Sequence, residues 1–539
     1  MKPTFSNFFF SGIGILGLMS ANGTEIFAAQ KPNIVLILAD DMGYSDIGCF
    51  GSEIATPNLD KLASQGVRFT QFYNASRCCP TRASLLTGLY QHQAGIGDMV
   101  GDQGYPSYQG YLNTSSVTLA EALKSNGYTT YLSGKWHVGS RTETLPRQRG
   151  FDRFFGLVDG AGSYFQRVPY RHNQEAPRWM LDDANFDPPA DGFYMTNAIG
   201  DYALEFLEEE KNKPEPFFMY LAFTAPHWPL HALPEDIAKY RGKYLKGWDV
   251  LRQERFENLR KMGLIEPSVK LSERDAHAPE WNSLSDDEKQ MWDLRMAVYA
   301  AMVDCLDQNI GRVMDQLEKM GELDNTMFIF LSDNGGCHEV IKNSGNYLPT
   351  RAETGTPESF DAYEYPWANV SNTPFRMHKH WVHEGGISTP FIVSLPGKIN
   401  SGKLVKQAGH IIDIMPTLLD FAGGTYPESF NGNRITPMEG ISLKPALTGG
   451  KIKRSKPLCW EHEGNRAVRQ DNWKLVSQYD TKNHRFNNWE LYNLTIDRSE
   501  LNDLSEQQPE LKKQLISEFE KWATRVGVVS REIIDRKKN

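Results

Sequence analysis

The chain has 539 residues, of which 40% are hydrophobic, so it is long enough to bury a large core. Its net charge of −9 and pI near 5.9 argue against a basic nucleic-acid-binding surface, and no nucleic-acid partner is expected. Six cysteines are too few for disulfides to hold a fold of this length, although an even number permits pairing.

The N-terminus has the pattern of a signal peptide. Lys2 supplies a positive charge, an apolar run extends from Phe8 to Ser20, and small residues such as Ala28 and Ala29 follow. The run is too short to span a bilayer as a helix, and no later stretch is apolar enough to do so. We therefore expect residues 1–29 to direct export to the periplasm or the medium, without stable membrane insertion. An uncleaved N-terminal anchor is the alternative.

Short apolar runs rich in β-branched residues predict the strands of a sheet buried on both faces. The first is NIVLILA at residues 33–39, and similar runs lie at 217–224, 327–332 and 391–395. Helical patterns lie between them, at 202–211, at 291–319 and after a capping box formed by Thr118 and Glu121, where the helix ends at Gly127. Strands that alternate with helices predict an α/β fold, with a sheet covered on both sides.

The pattern of predicted secondary structure changes near Pro457. Before it, residues 240–288 are charged and irregular, and they predict a helical excursion near the mouth of a ligand cleft. After it, short strand patterns at 466–468, 474–477 and 490–494 precede an amphipathic helix at 511–525. We predict a catalytic domain of residues 30–456 and a C-terminal subdomain of residues 457–539, with a small antiparallel sheet and a terminal helix.

Carboxylates and an amide follow two of the predicted strands, at the strand ends where ligands gather in α/β sheets. Asp40 and Asp41 come directly after the first strand, and Asp333 and Asn334 follow the strand at 327–332. Taken singly, each pair is more typical of a turn or a helix N-cap. Adjacent buried carboxylates repel each other, however, and a cation removes that penalty. The oxygen ligands predict one divalent cation, Ca²⁺ first and Mg²⁺ second.

Residues 76–88 predict a helix with two cysteines at its positive end. Pro80 is typical of a first helical turn, and the closing glycine is typical of a helix end. A helix N-terminus attracts anions, and Arg82 adds a forked cation one turn further on. Cys78 and Cys79 are therefore either buried thiols of a capped helix or part of an anion pocket with a reactive cysteine.

The motif Cys78-x-Pro80-x-Arg82, followed by LLTG at residues 85–88, resembles the signature of the sulfatase family. In that family the cysteine is oxidised after translation to formylglycine. The resemblance therefore implies that a formylglycine-generating or anaerobic maturation enzyme acts on Cys78, while Cys79, out of register, stays a thiol. It also implies an arylsulfatase-type sulfuric ester hydrolase with an alkaline phosphatase-like fold, in which helices sandwich a large mixed, mostly parallel sheet, with a smaller C-terminal α+β subdomain.

Other motifs of the family follow in chain order between about Pro32 and Leu504. They are ADDMGYSD (39–46), TPNLDKLASQGVRFTQFYNAS (56–76), GKWHVG (134–139), TAPHWPLH (224–231), SDNGG (332–336) and TPFRMHKHWVHEGG (373–386). Carried over residue by residue, the resemblance implies a metal bound by Asp40, Asp41, the modified Cys78, Asp333 and Asn334. It implies a sulfate pocket lined by Arg82, Lys135, His137, His227 and Lys379.

The resemblance also implies how such a site works. A hydrated aldehyde at position 78, activated by the metal and Asp333, attacks sulfur, and His227, with Lys379 nearby, protonates the leaving oxygen. His137 then deprotonates the second hydroxyl, so that elimination releases sulfate. Charge on the sulfate oxygens is held by the cation together with Arg82, Lys135 and Lys379.

The sequence leaves the substrate open between a sulfated small molecule and a sulfated carbohydrate. We expect five residues to shape the leaving-group pocket: His92, Tyr108, Tyr111, Trp228 and His231. A phosphonate monoester or phosphodiester hydrolase of the same superfamily is an alternative reading, although TAPHWPLH and the EGGI segment favour a sulfatase. A non-catalytic sulfated-glycan binder is the other alternative, but such a protein should have lost the cysteine or a metal ligand, and none is missing here.

Overall fold

The computed structural model describes residues 31–211, 213–341 and 352–538, so the predicted signal peptide lies outside the described residues. The strands within these ranges are, in chain order, β1 (Asn33–Ala39), β2 (Val67–Phe69), β3 (Phe72–Tyr73), β4 (Thr129–Gly134), β5 (Arg153–Leu157), β6 (Trp179–Leu181), β7 (Ala184–Asn185), β8 (Phe217–Ala222), β9 (Thr326–Ser332), β10 (Phe391–Ser394), β11 (Lys403–Val405), β12 (Gly409–His410), β13 (Ser429–Phe430), β14 (Asn433–Arg434), β15 (Leu458–His462), β16 (Asn465–Gln470), β17 (Trp473–Ser477), β18 (Tyr479–Asp480), β19 (Arg485–Phe486) and β20 (Glu490–Asn493).

The α-helices of the described residues are α1 (Pro57–Gln65), α2 (Cys78–Thr87), α3 (Gln91–Ala94), α4 (Leu119–Ser125), α5 (Met195–Glu210), α6 (Pro234–Ala238), α7 (Trp248–Lys261), α8 (Asp286–Met320), α9 (Glu364–Ser371), α10 (Glu384–Ile387), α11 (Ile414–Ala422), α12 (Lys444–Leu447), α13 (Pro509–Val526) and α14 (Arg531–Lys538). No helix among the described residues has the length and apolar character needed to cross a bilayer. The six cysteines are buried, and none is paired in a disulfide.

Ten strands form the central sheet in the order β11-β2-β10-β9-β1-β8-β4-β5-β6-β7. The strands from β9 to β5 are parallel, whereas β6 and β7 are antiparallel at one edge. The prediction of a mixed, mostly parallel sheet is confirmed. The prediction grouped residues 391–395 with the parallel strands, but β10 runs antiparallel to both β9 and β2. Burial on both faces produces the same apolar run in either direction, so the sequence pattern could not show this.

The two faces of β1 supply two separate hydrophobic layers. Val35 and Ile37 pack in a cluster with residues of α1, α5 and α8. Ile34 and Leu36 pack in a second cluster with residues of α2, α4 and α11. Because successive strand side chains point to opposite faces, a run of seven buried residues places helices on both sides of the sheet.

The predicted helices at 202–211 and 291–319 are present as α5 and α8, and both begin several residues earlier than predicted. The capping box of α4 is confirmed: Glu121 N–H donates to Thr118 Oγ1 at 3.1 Å, and Thr118 N–H donates to Glu121 Oε2 at 2.7 Å. Helix α8 begins earlier than predicted, because Ser285 and Glu288 form a second capping box.

The C-terminal residues form an antiparallel sheet, β15-β16-β17-β20, with α13 packed against it. The strand patterns at 466–468, 474–477 and 490–494 match β16, β17 and β20, and the predicted helix matches α13. Strand β15 and helix α14 were not predicted. Buried ion pairs join this sheet to the rest of the chain, with Lys474 of β17 lying 3.1 Å from Glu384 of α10.

Candidate active site

The ends of four neighbouring parallel strands converge on one polar cluster. Asp40 and Asp41 follow β1, and Asp333 and Asn334 follow β9, whose Ser332 is in register with Ala39. The segments after β4 and β8 bring Lys135, His137 and His227 to the same edge. All of these side chains are buried. Sequence positions far apart therefore meet because parallel strands end at one edge of the sheet.

Three carboxylates crowd the centre of the cluster. Asp41 N–H donates to Asp333 Oδ1 at 3.1 Å, and Asn334 Nδ2 donates to Asp41 Oδ1 at 2.7 Å. Burial, followed by the charge of Asp333, raises the pKa of Asp40 to about 7. Burial also raises the pKa of Asp333, although Arg82 opposes it. The carboxylates therefore carry an electrostatic penalty that a bound cation removes.

Two cations lie beneath these acids. Arg82, one turn into α2, places Nη2 at 2.9 Å and Nε at 3.2 Å from Asp333 Oδ2. Its Nη1 donates to the backbone oxygen of Lys135 at 2.9 Å, and Lys135 Nζ pairs with Asp40. Arg82 and Lys135 are fully buried, and neither is among the side chains that line the cleft above. Their ion pairs in this structure are with Asp40 and Asp333.

Lys379 and His227 flank the other side of Asp41. Lys379 Nζ donates to Asp41 Oδ2 at 2.8 Å and lies 3.3 Å from His227 Nε2. Burial favours a higher pKa for Asp41, but His227 and Lys379 outweigh it and lower that pKa. Burial favours a lower pKa for Lys379, but the negative charge of Asp41 leads the effects that outweigh it and hold that pKa well above the usual value. Lys379 is therefore a charged ammonium at neutral pH.

Cys78 occupies the first residue of α2, at the positive end of the helix. A hydrogen bond from Cys79 lowers its pKa well below the usual value, against burial and with help from Lys135 and His137. The sulfur of Cys78 and a ring nitrogen of His137 lie within 4.8 Å of each other. Cys79, by contrast, points to Met99, and burial raises its pKa. The two adjacent thiols therefore have different environments, and only Cys78 lines the cleft.

Two oxygen atoms of the cluster have no hydrogen-bond partner among the described residues: Asp40 Oδ1 and Asn334 Oδ1. An unpaired buried oxygen costs free energy unless a ligand satisfies it. The surrounding donors are oxygens of Asp40, Asp41, Asp333 and Asn334, the type that Ca²⁺ and Mg²⁺ prefer. These residues thus fit the divalent cation that the sequence predicts.

A cleft of about 870 Å³ opens above the cluster. The floor and inner wall include Cys78, His137, His227 and Lys379, and the outer wall comes from residues 159–185. The excursion at 240–288 does not line this cleft, so its predicted place at the mouth is wrong. Its helix α7 instead packs below, where Arg255 pairs with Asp46 and Glu53.

Of the five residues predicted for the leaving-group pocket, only Trp228 lines the cleft. His92 and Tyr108 both hydrogen-bond to Glu461 of β15, at 2.8 and 3.0 Å. Tyr111 stacks under Arg141, and His231 bonds to the backbone oxygen of Ser359 at 2.8 Å. The prediction is therefore wrong for His92, Tyr108, Tyr111 and His231, whose side chains make contacts outside this cleft.

Glu339 is a cleft residue that sequence reasoning missed. Its carboxylate lies 2.9 Å from Arg77 Nη2, accepts a hydrogen bond from Trp228 Nε1 at 2.7 Å and lies 3.7 Å from Lys379 Nζ. Lys379 and Arg77 lower its pKa well below the usual value, although burial opposes this. The available signal was its position, three residues after the SDNGG motif and hence near the end of β9.

Comparisons with known proteins decide the family. The sequence model of the Sulfatase family matches residues 32–424, and a model described as N-sulphoglucosamine sulphohydrolase, C-terminal, matches residues 375–525. The chain belongs to the sulfatase family. It is 38% identical to an uncharacterized sulfatase of Schizosaccharomyces pombe, over 93% of this chain and 95% of that one. It is 34% identical to an arylsulfatase of Klebsiella aerogenes, over 81% of this chain and 96% of that one.

Solved structures agree with this sulfatase assignment. The structure of Ps i-CgsB in complex with k-i-k-neocarrahexaose superposes with a TM-score of 0.67 and 27% identity, covering 92% of this chain and 93% of that one. The predicted fold and enzyme class are thus confirmed: this sulfatase is a sulfuric ester hydrolase with a large mixed sheet and a small C-terminal sheet.

Proposed function

We propose that this sulfatase cleaves sulfate esters with a formylglycine made from Cys78 and a Ca²⁺ ion held by Asp40, Asp41, Asp333 and Asn334. The observation that carries the proposal is the position of Cys78. It begins α2 at the floor of the cleft, close enough to Asp333 for its charge to raise the pKa of that carboxyl. A modified side chain there would lie between the carboxylate cluster and an incoming ester.

Two groups supply chemistry that the twenty amino acids lack. A hydrated formylglycine at position 78 would supply two hydroxyls, one as the nucleophile toward sulfur and one whose loss of a proton would permit release of sulfate. A divalent cation, once bound, offers positive charge to the sulfate oxygens. Preorganised charge of this kind is commonly the largest catalytic term, with one donor contributing about 2.7–4 kcal/mol in measured cases.

Arg82 and Lys135 are proposed to orient the carboxylates of Asp333 and Asp40. Arg82 holds Asp333 with two nitrogens, and Lys135 pairs with Asp40, so both acids are oriented before substrate arrives. Since neither cation lines the cleft, their positive charge reaches the sulfate through a buried, low-dielectric region. This differs in detail from the direct sulfate contact that the family resemblance implies.

Lys379 and His227 are proposed to deliver a proton to the leaving oxygen. His227 Nδ1 lies 2.6 Å from the backbone oxygen of Trp228, which fixes a proton on Nδ1 and leaves Nε2 as an acceptor. Lys379 Nζ lies 3.3 Å from that Nε2. Lys379, a charged ammonium that lines the cleft, can therefore give a proton directly to the departing alkoxide or phenoxide, while His227 Nε2 accepts a hydrogen bond from it and orients it. General acid help of this kind contributes about 10²–10⁴-fold.

His137 is proposed to accept the proton that permits sulfate release. Burial lowers the pKa of His137, so its imidazole is neutral and can act as a base at neutral pH. Its ring lies beside residue 78, and its Nδ1 has no hydrogen-bond partner among the described residues.

A sulfated carbohydrate is the proposed substrate class. The cleft has the volume of a site for a sugar-sized ligand, and its walls combine Trp228 and Tyr170 with Arg77, Arg167 and Arg178. Aromatic rings and arginines suit sugar faces and anionic groups. The related Ps i-CgsB structure contains a neocarrahexaose. We also propose that the enzyme is exported, as the N-terminal sequence predicts.

The proposal is tested first by the mass of the peptide that contains residue 78. Protein produced with its maturation enzyme should show the mass change for replacement of CH₂–SH by CHO. Cys78→Ala should remain folded and lose turnover by a factor on the order of 10⁶, as expected for loss of a nucleophile. Near-normal turnover by purified Cys78→Ala protein would refute the proposal.

Assays of several substrates side by side distinguish a sulfatase from the two alternative functions, a phosphonate monoester or phosphodiester hydrolase and a non-catalytic binder. An aryl sulfate and a sulfated oligosaccharide should be hydrolysed, and an aryl phosphodiester should be much slower. Faster phosphodiester cleavage would favour the phosphonate monoester or phosphodiester hydrolase. Binding of sulfated glycans without turnover by fully modified, Ca²⁺-loaded protein would identify a non-catalytic binder.

A further inference from the structure

A second cluster of potential metal ligands lies beside the active site and takes no part in the proposed sulfate chemistry. It consists of His380, which follows Lys379, and of His462 and Glu463 at the turn between β15 and β16. One ligand atom from each of the three lies within 4.8 Å of the others. His380 Nδ1 is 2.6 Å from Glu463 Oε2, and the two imidazole rings have centroids 5.8 Å apart.

His462 is the member that hydrogen bonding does not explain. It is 0% exposed, yet neither of its ring nitrogens has a hydrogen-bond partner among the described residues. Buried imidazoles normally satisfy their nitrogens, because an unpaired polar atom loses its hydration without compensation. Burial also lowers the pKa of His462 to about 4, so the ring is neutral at physiological pH and can offer a lone pair to a cation.

The backbone brings these ligands together at a conformational cost. Glu463 and Gly464 form a two-residue hairpin turn, in which both residues have positive φ, +48° and +85°. Such turns favour Asn-Gly or Asp-Gly, whereas a glutamate in the first position is strained. His380 also has a positive φ, of +89°. Strained residues that converge on one point are typical of a functional site.

We propose that His380, His462 and Glu463 bind one Zn²⁺ ion. Two imidazole nitrogens and one carboxylate oxygen form a donor set that zinc accepts, with its fourth position left to water. This set differs from the all-oxygen donors of the catalytic cluster, which suit Ca²⁺. The side chains of His380 and Glu463 are 17% and 23% exposed, so a cation can reach the site from solvent.

The position of the proposed zinc site indicates that it anchors neighbouring segments of the chain to one another. His380 N–H donates to the backbone oxygen of Ser76 at 2.8 Å, two residues before Cys78, and the neighbouring Lys379 contacts Asp41. Zinc at this point would tie the Lys379 loop, the approach to α2 and the β15–β16 hairpin together. Zinc binding should therefore raise the thermal unfolding temperature of the protein.

The test is a zinc titration of the full chain in the presence of saturating Ca²⁺. Metal-stripped protein is reloaded with Ca²⁺ and then titrated with Zn²⁺ against a chromophoric chelator, with Co²⁺ absorption as a second readout of nitrogen ligands. Wild-type protein should bind one equivalent and unfold at a higher temperature when zinc is present. Glu463→Gln, a change at a partly exposed side chain, and His462→Phe, which keeps the ring volume, should both lose this equivalent.

Controls separate this site from its neighbours. His277→Gln changes an exposed histidine paired with Asp275 and should leave zinc binding intact. Cys78→Ser removes the thiol that lies near Cys79 and His137, another potential zinc cluster, and should also retain the equivalent. No zinc bound by wild-type protein, equal binding by Glu463→Gln, or loss of binding only in Cys78→Ser would each overturn the proposal. Because binding is measured without substrate, the outcome is independent of the sulfatase mechanism.

Discussion

Asp40 and Glu384 are both buried carboxylates, one at the end of β1 and one where the C-terminal sheet docks on α10. Both oxygens of Glu384 have partners: Lys474 lies 3.1 Å from Oε1, and Arg498 Nε lies 3.0 Å from Oε2. Asp40 has one oxygen paired, and its Oδ1 has no partner among the described residues. The pKa of Glu384 is lowered to about 2, because Lys474 and Arg498 outweigh burial, whereas that of Asp40 is raised to about 7 by burial and Asp333.

The difference shows what each cluster is for. In the docking cluster, formed by Glu384, Lys474 and Arg498, both carboxylate oxygens of Glu384 have partners without a ligand. This cluster therefore contributes to stability and to the position of the C-terminal sheet. The carboxylates at the strand ends are incomplete, and they stay close together because the sheet and its cations hold them there. Under our proposal such a site gains stability when a cation binds, an example of an active site that gives up stability for function.

Among variants that test this comparison of Asp40 with Glu384, the largest expected effect is on stability, in Glu384→Gln. Removing this charge leaves Arg498 buried beside a neutral amide, while Lys474 keeps its pair with Glu500 at 2.8 Å, and breaking a buried pair typically costs about 3–5 kcal/mol. Urea unfolding should show this loss, while the folded variant keeps its turnover. Glu358→Gln, at an exposed glutamate, is the matched control and should change stability by less than about 0.5 kcal/mol. Equal stability of the two variants would contradict the comparison.

The converse change is Asp40→Asn, which should lower kcat on an aryl sulfate by a factor on the order of 10²–10³, because a proposed metal ligand is lost. In chelator, the unfolding free energy of this variant should be no lower than that of the wild type, because burial and the charge of Asp333 disfavour the ionised carboxylate of Asp40 more than its pair with Lys135 favours it. Asp324→Asn, at an exposed aspartate, controls for the substitution itself. A large loss of stability in Asp40→Asn would mean that the carboxylate is structural.

Acid unfolding should distinguish the wild type from Glu384→Gln by the pH dependence of stability. The pKa of Glu384 is lower in the folded protein than its ordinary 4.5, so its contribution to stability is fully present above pH 4.5. That contribution is lost as pH falls toward about 2, the folded value. Unfolding free energies measured across this range should fall more steeply with acid in the wild type than in Glu384→Gln. Parallel curves of unfolding free energy against pH would show that Glu384 does not titrate as described.

The smallest expected effect is in Glu339→Gln. Its carboxylate holds Arg77 at 2.9 Å and Trp228 at 2.7 Å in the cleft wall, so loss of the charge should mainly raise KM, by about tenfold. Steady-state kinetics with an aryl sulfate measure this change. Glu175→Gln, an exposed glutamate of the same cleft, is the control and should leave KM unchanged. A fall in kcat alone would instead assign Glu339 to the proton-transfer pair.

Local signals in the sequence predicted much of the fold. A capping box is a contact between residues three apart, so Thr118 and Glu121 predicted the start of α4 correctly. Continuous apolar runs predicted β1, β8 and β9 for the same reason, since burial on both faces requires them. Direction and neighbour are not local properties, and the antiparallel pairing of β10 was therefore invisible.

The sequence by itself determined which residues could carry the chemistry, because motif spacing places Cys78, Asp40 and Asp333 at a helix start and two strand ends. Only the tertiary structure decided which of them face the cleft. Arg82 does not line the cleft and instead contacts Asp333, whereas Glu339 lines the cleft wall. His92 lies outside the cleft and hydrogen-bonds to Glu461. Distances between segments far apart in the chain follow from how the sheet, the helices and the C-terminal sheet pack, and no spacing within one segment contains that information.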